Sequence, residues 1–175
     1  MAEVTFISNK TRKEVNKCLI VALFAVFFWL IQVSVFSSLV FMDDSFNLLY
    51  LSTIYFGLRY GPFYGTLFGI FSSFLQANIL FDHLFYFSYP LVGFLSGMLI
   101  KSIFSDEIIL FILLSLALTF PVEMLNGIQY CIKNECNFFS KYFPVVINAS
   151  INNLLLSPFY YIFMNYLLSK LKIKQ

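Results

Sequence analysis

Long apolar runs separated by short polar clusters set the pattern along this chain. The runs cover residues 18–41, 45–58, 62–81, 84–104, 108–132 and 142–168. A helix needs about 20 apolar residues to cross roughly 30 Å of hydrocarbon. The pattern therefore predicts an all-α polytopic bundle of six transmembrane helices with short loops. It fills residues 1–175 as a single integral membrane domain. A membrane β-barrel would show alternating stretches of about ten residues instead. The first run is too long for a signal peptide, and Leu39-Val40-Phe41 is no small-x-small cleavage site, so a retained first helix is expected.

Composition strengthens this picture. Hydrophobic residues make up 60% of the chain and charged ones 11%, against about 45–50% and about 25% in soluble domains. So few charges cannot cover a soluble enzyme, and the apolar excess excludes a disordered chain. A net charge of +2 without a basic stripe leaves no footprint for nucleic acid.

The charges that remain report topology, since lysine and arginine accumulate on the cytoplasmic side. With six crossings and a cytoplasmic N-terminus, Lys10, Arg12, Lys13, Lys17, Arg59, Lys101, Lys170, Lys172 and Lys174 lie inside, and Lys133 and Lys141 outside. That split is nine to two, with both termini cytoplasmic. The second run is short, because 14 residues of helix span only about 21 Å. Were it not to cross, the split would fall to six to five, so six crossings are expected.

Polar and small residues inside the runs carry the remaining information. Gly61-Pro62 opens the third run, where Gly65, Gly69 and Ser73, four apart, form one helix stripe; Gly93 and Gly97 repeat the device in the fourth. Such stripes let membrane helices approach closely, either within the bundle or against a partner protein. Gln32 and Gln76 both fall toward the outer ends of their helices, where they could bond to each other or present amides to a ligand. Glu123 is the one acid within a run, with Asn126 and Gln129 further along roughly its face. It reads as a capped structural acid, an interface contact or a transport group. Asn148 and Asn152 share a face of the sixth helix as polar glue, and Pro158 after Ser157 predicts a kink there.

At the ends of the runs, Tyr60, Tyr64, Tyr86, Tyr89, Tyr142 and Tyr166 fit an interfacial belt. Cys131 and Cys136 share an outer loop, either disulfide-bonded or as two thiols, while Cys18 lies at the inner side. Asp82-His83 with those cysteines matches no standard zinc spacing. No serine elbow, HExxH, carboxylate pair or phosphate loop occurs, so no enzyme, metal or cofactor is expected.

The order of landmarks from Gln32 to Gly97 is specific. Asp43-Asp44 and Phe46-Asn47-Leu48-Leu49 precede the short second run. Gly57-Leu58-Arg59-Tyr60-Gly61-Pro62 closes it, and the stripe then ends in Phe74-Leu75-Gln76. Tyr89-Pro90-Leu91-Val92-Gly93-Phe94-Leu95-Ser96-Gly97 follows. This order resembles the MreD family, small integral membrane proteins of the bacterial cell-elongation machinery. The likeness covers residues 25–100; beyond them only the hydropathy matches. It implies a non-catalytic scaffold of the cytoplasmic (inner) membrane that maintains rod shape. Such proteins partner the bitopic MreC and the peptidoglycan synthases, RodA with its penicillin-binding transpeptidase, and through them MreB filaments. Six short-loop helices also resemble the substrate-binding subunit of energy-coupling-factor vitamin transporters. That family commonly carries an Ala-x-x-x-Ala stripe on its first helix, whereas Ala22 and Ala25 here are spaced three.

Overall fold

A computed structural model describes residues 9–36, 40–41, 44–45, 47–80, 85–99 and 106–170. Among these described residues are six α-helices: α1 (Asn9–Ile31), α2 (Leu48–Tyr60), α3 (Pro62–Leu80), α4 (Phe85–Leu99), α5 (Glu107–Lys133) and α6 (Phe143–Lys170). Wider π-helical turns extend α1 through Gln32–Phe36 and precede α6 at Phe138–Tyr142.

Three expected boundaries shift, the first being the start of α1, which lies at Asn9 rather than Cys18 because the polar stretch before the apolar run is helical too. The first helical run stops at Phe36, and Val40 and Phe41 instead pair antiparallel with Ser45 and Asp44. The second helix starts at Leu48, because Asn47 caps it through its side chain. Asp, Ser and Asn compete with helical hydrogen bonding and favour turns and caps, which fits Asp44, Ser45 and Asn47 at these non-helical positions. The other helices keep their expected places, with ends within two residues wherever both ends are described. Lys101 and the end of the fourth run lie outside the described residues.

α2 is the hub. A helix on a protein surface buries one stripe, but residues 48–57 of α2 are all buried. It packs on α1, α3, α4, α5 and α6. Aromatic rings lock the surrounding layer, with Phe56 stacked on Phe68 of α3 at 4.6 Å and Phe28 of α1 set 5.8 Å from Tyr160 of α6. α2 ends at Gly61, whose φ of 92° and ψ of 176° lie in a region only glycine tolerates. Pro62 then starts α3 at a position where its missing N–H costs nothing.

The distribution of side chains is that of a membrane protein. Leu23 of α1, Leu125 and Ile132 of α5, and Phe159 and Ile162 of α6 face outward, whereas Ser52, Thr53, Ser115, Asn152 and Asn153 are buried. Among the described residues, three helical stretches are long and apolar enough to span a bilayer: Glu14–Ser34, Glu107–Lys133 and Phe138–Lys170. Pro158 sits inside an unbroken α6. It cannot donate to the Leu154 carbonyl one turn back, and the Ser157 hydroxyl supplies that bond at 2.8 Å. Ser157→Ala should therefore lower stability by about 1 kcal/mol, measured as thermal denaturation in detergent.

Candidate functional site

Two constellations carry the polar and small residues singled out by the sequence. The first is a glycine seam. Gly65 and Gly69 of α3 face α4, and Gly93 and Gly97 of α4 face α3 in return. A Cβ on Gly65 would overlap the Gly93 carbonyl, and one on Gly93 would overlap the Gly65 carbonyl. A Cβ on Gly69 would stand 2.5 Å from the Tyr89 carbonyl oxygen, and one on Gly97 would collide with Pro62. Gly57 of α2 closes the seam against the Gly93 carbonyl and the Ser96 hydroxyl. Ser73 is buried on the same stripe, its hydroxyl bonded to the Ile70 carbonyl at 2.8 Å. Small residues thus let three backbones touch, and α2 and α4 already occupy the Gly65/Gly69 face.

The second constellation surrounds the start of α2. The first N–H groups of a helix lack intrahelical partners, and here they lie inside the bundle. The Gln32 Oε1 accepts from the Leu49 N–H at 3.1 Å, and the Asn47 Oδ1 accepts from the Tyr50 N–H at 3.0 Å. The Asn47 N–H donates to the Asn153 Oδ1 of α6 at 3.3 Å. The Asn47 amide and the Tyr89 hydroxyl of α4 meet at 2.8 Å. Four helices are joined at one cap, using groups that lipid could never satisfy.

Of the expected intramembrane polar residues, Gln32 joins this cap and Glu123 lies near it. Glu123 of α5 is half-buried near the Tyr50 and Tyr89 hydroxyls, with the buried Thr119 one turn before it beside Tyr50. Asn126 and Asn152 are buried, Asn148 is half-buried, and Gln129 faces outward. The expected Gln32–Gln76 bond does not form. Gln32 is drawn to the α2 backbone, and the buried Gln76 Oε1 has no hydrogen-bond partner among the described residues. Tyr89 is likewise no belt residue, being 1% exposed and committed to Asn47. Sequence reasoning passed over Asn47 as a cap, although an Asn directly before an apolar run is a helix-start signal. It also passed over Gly57 and over Gly127, which packs against Tyr142 and Phe138. Both are single glycines with no repeat to mark them.

The opposite end of α2 carries the charged contacts. The Arg59 guanidinium meets the Glu107 carboxylate at 2.6 Å, and the Tyr161 hydroxyl donates to the same carboxylate at 2.9 Å. Tyr55 donates to the Asn165 Oδ1, and Tyr64 of α3 donates to Glu14 of α1, each at 2.6 Å. Glu107 is well exposed, at 60%, and exposed ion pairs contribute about 0–1 kcal/mol. Arg59→Gln should thus lower stability by less than about 1 kcal/mol in a chemical or thermal melt.

Cys131 and Cys136 form a disulfide with a Cα–Cα distance of 4.6 Å, and Cys18 is free. The bridge takes both sulfurs out of any zinc set with Asp82 and His83, which lie outside the described residues. Among the described residues no group of three His, Cys, Asp or Glu side chains is placed to hold a metal ion. Comparison with protein families, with curated proteins and with solved structures returned no match to this chain.

Proposed function

We propose that this chain is a non-catalytic membrane scaffold of the MreD kind. It crosses the bacterial cytoplasmic membrane six times with both ends inside, and docks a bitopic MreC-like protein and the peptidoglycan-elongation synthases. The observation that supports this most is the glycine seam, backbone on backbone across α2, α3 and α4. A bundle closed in this way is stiff, and Gln32, Asn47, Tyr89 and Asn153 are spent on joining its own helices. What it offers outward is apolar helix surface, such as Leu91, Phe94 and Met98 of α4. Such a body suits docking in the plane of the membrane. The sequence landmarks from Gln32 to Gly97 supply the family reading.

The direct test places a photoreactive residue at Phe94 in native membranes and identifies what it captures. Adducts with an MreC-like protein or RodA are expected. Recovery of ABC-type ATPases, or a vitamin bound to the purified chain, would overturn this reading in favour of a transporter subunit. Topology has its own test. After reduction, a membrane-impermeant maleimide added to intact cells should label Cys136 but not Cys18. Labelling of Cys18 from outside would refute the cytoplasmic N-terminus.

A further inference from the structure

We propose that Glu123, Thr119 and Asn126 of α5 and Tyr50 of α2 form an intramembrane site for a monovalent alkali cation. On α5, Thr119, Glu123 and Asn126 recur at spacings of four and three, so they share one stripe. From α2, the Tyr50 hydroxyl reaches that stripe beside Thr119 and close to Glu123. Tyr89 of α4 borders the same spot. Tyr130 extends the stripe toward the end of α5 and is exposed, so polar groups lead from that end to the site.

Two of these groups are buried without a bond to the protein. Tyr50 is 1% exposed and Asn126 6%. Among the described residues, neither the Tyr50 hydroxyl nor the Asn126 amide nitrogen has a hydrogen-bond partner. Burial without a bond is costly for each, so an occupant that engages them is favoured. An unbonded amide can turn about its terminal bond and offer its oxygen in place of its nitrogen. The Thr119 hydroxyl donates to the Ser115 carbonyl, which leaves lone pairs on its oxygen. A carboxylate has about four lone-pair sites, so the contacts Glu123 makes within the bundle leave others for an ion.

Charge and ligand type select the occupant. Glu123 brings one negative charge, while Tyr50, Tyr89, Thr119 and Asn126 are neutral. A charge at this depth is costly unless it is countered. The bases on the helices packed around it stand far along their axes. Lys133 lies ten residues on in α5 and Arg59 nine residues on in α2, about 15 and 14 Å at 1.5 Å per residue. Arg59 is bound to Glu107. α4 carries no lysine or arginine, α6 has none before Lys170, and Lys141 ahead of it is exposed. One carboxylate balances a monovalent ion, whereas calcium takes several acidic ligands. Carboxylate, hydroxyl and amide oxygens suit a hard cation over a soft one.

Thermal denaturation of the purified full chain in detergent tests this, with sodium, potassium or choline chloride added at equal concentration and pH held constant. At about 100 mM salt, sodium or potassium should raise the midpoint by about 3 °C or more over choline, because an ion that binds only the folded chain stabilises it. Glu123→Gln should abolish that difference. Glu107→Gln, a change of an exposed acid at the other end of the bundle, should keep it. Tyr50→Phe retains the ring and should at least halve the difference, which decides the matter even where Glu123→Gln folds poorly. Equal midpoints in the three salts would overturn the proposal, as would a difference that persists in Glu123→Gln or is undiminished in Tyr50→Phe. A midpoint that responds to pH but to neither alkali ion would overturn it equally. The readout does not depend on which partner proteins the bundle docks.

Discussion

Gly65→Leu should leave little folded protein after extraction into detergent. The position has no slack. A Cβ at Gly65 meets the carbonyl of Gly93, and a Cβ at Gly93 meets the carbonyl of Gly65. The Cα of Gly57 lies 2.5 Å from the same added atom. Overpacking a core costs about 1–3 kcal/mol when neighbouring side chains can change rotamer. Here the neighbours are backbone atoms, so α3, α4 and α2 must separate as bodies, and a loss of at least about 3 kcal/mol is expected. Ile70→Ala, on the outward side of the same helix, should change stability by about 0.5 kcal/mol or less. Size-exclusion profiles and thermal midpoints of the two variants make the comparison. If Gly65→Leu stayed monodisperse and as stable as the parent, the seam would not be what closes the bundle. If it stayed stable but lost its membrane partners, the stripe would belong to an interface with another protein.

That seam was half legible in the sequence. Gly65, Gly69 and Ser73 announce themselves because they repeat at the spacing of a helix face, as do Gly93 and Gly97. Repetition shows that a helix approaches closely but not which one, because a flat stripe suits a neighbour in the same chain as well as a partner. Gly57 shows why the rest was hidden: it stands alone in α2, and its meaning comes from Ser96 and Gly93. The polar cap was harder still. Asn47 bonds Tyr89, 42 residues on, and Asn153, 106 residues on. No local pattern encodes such a pairing. Gln32 was read as an intramembrane amide in need of a partner, and the partner is a backbone N–H at the start of α2. Side-chain inventories overlook main-chain donors, and a buried helix start is where those donors accumulate. The brevity of the second run also gains a physical reading. A helix wrapped on all sides by others has no lipid to match, so its 13 residues need not span the hydrocarbon.

Asn47→Leu should be the most damaging single change away from the glycines. Leucine keeps the side-chain bulk but removes every polar contact the amide makes. Loss of an N-cap costs about 0.5–2 kcal/mol, and here the stranded Tyr50 N–H is buried rather than wetted. The fully buried Tyr89 hydroxyl loses its amide partner as well, which adds about 1–3 kcal/mol. The sum falls near 2–4 kcal/mol, since the two losses share one side chain and overlap. Asn47→Ser separates the terms, because serine still caps a helix but cannot span to both the α2 N–H and Tyr89. It should recover the cap share alone. A double-mutant cycle with Tyr89→Phe isolates the interhelical bond. Side-chain hydrogen bonds within membrane proteins give couplings of about 0.6 kcal/mol on average and up to about 1.7. The Asn47–Tyr89 pair, short and ending on a buried hydroxyl, should fall toward the upper value. Coupling indistinguishable from zero, with Asn47→Leu as stable as the parent, would mean that α2 is held by its apolar surface alone. The cap's four-helix convergence would then carry no stability, and the reading of this bundle as a body stiffened from within would lose its second support.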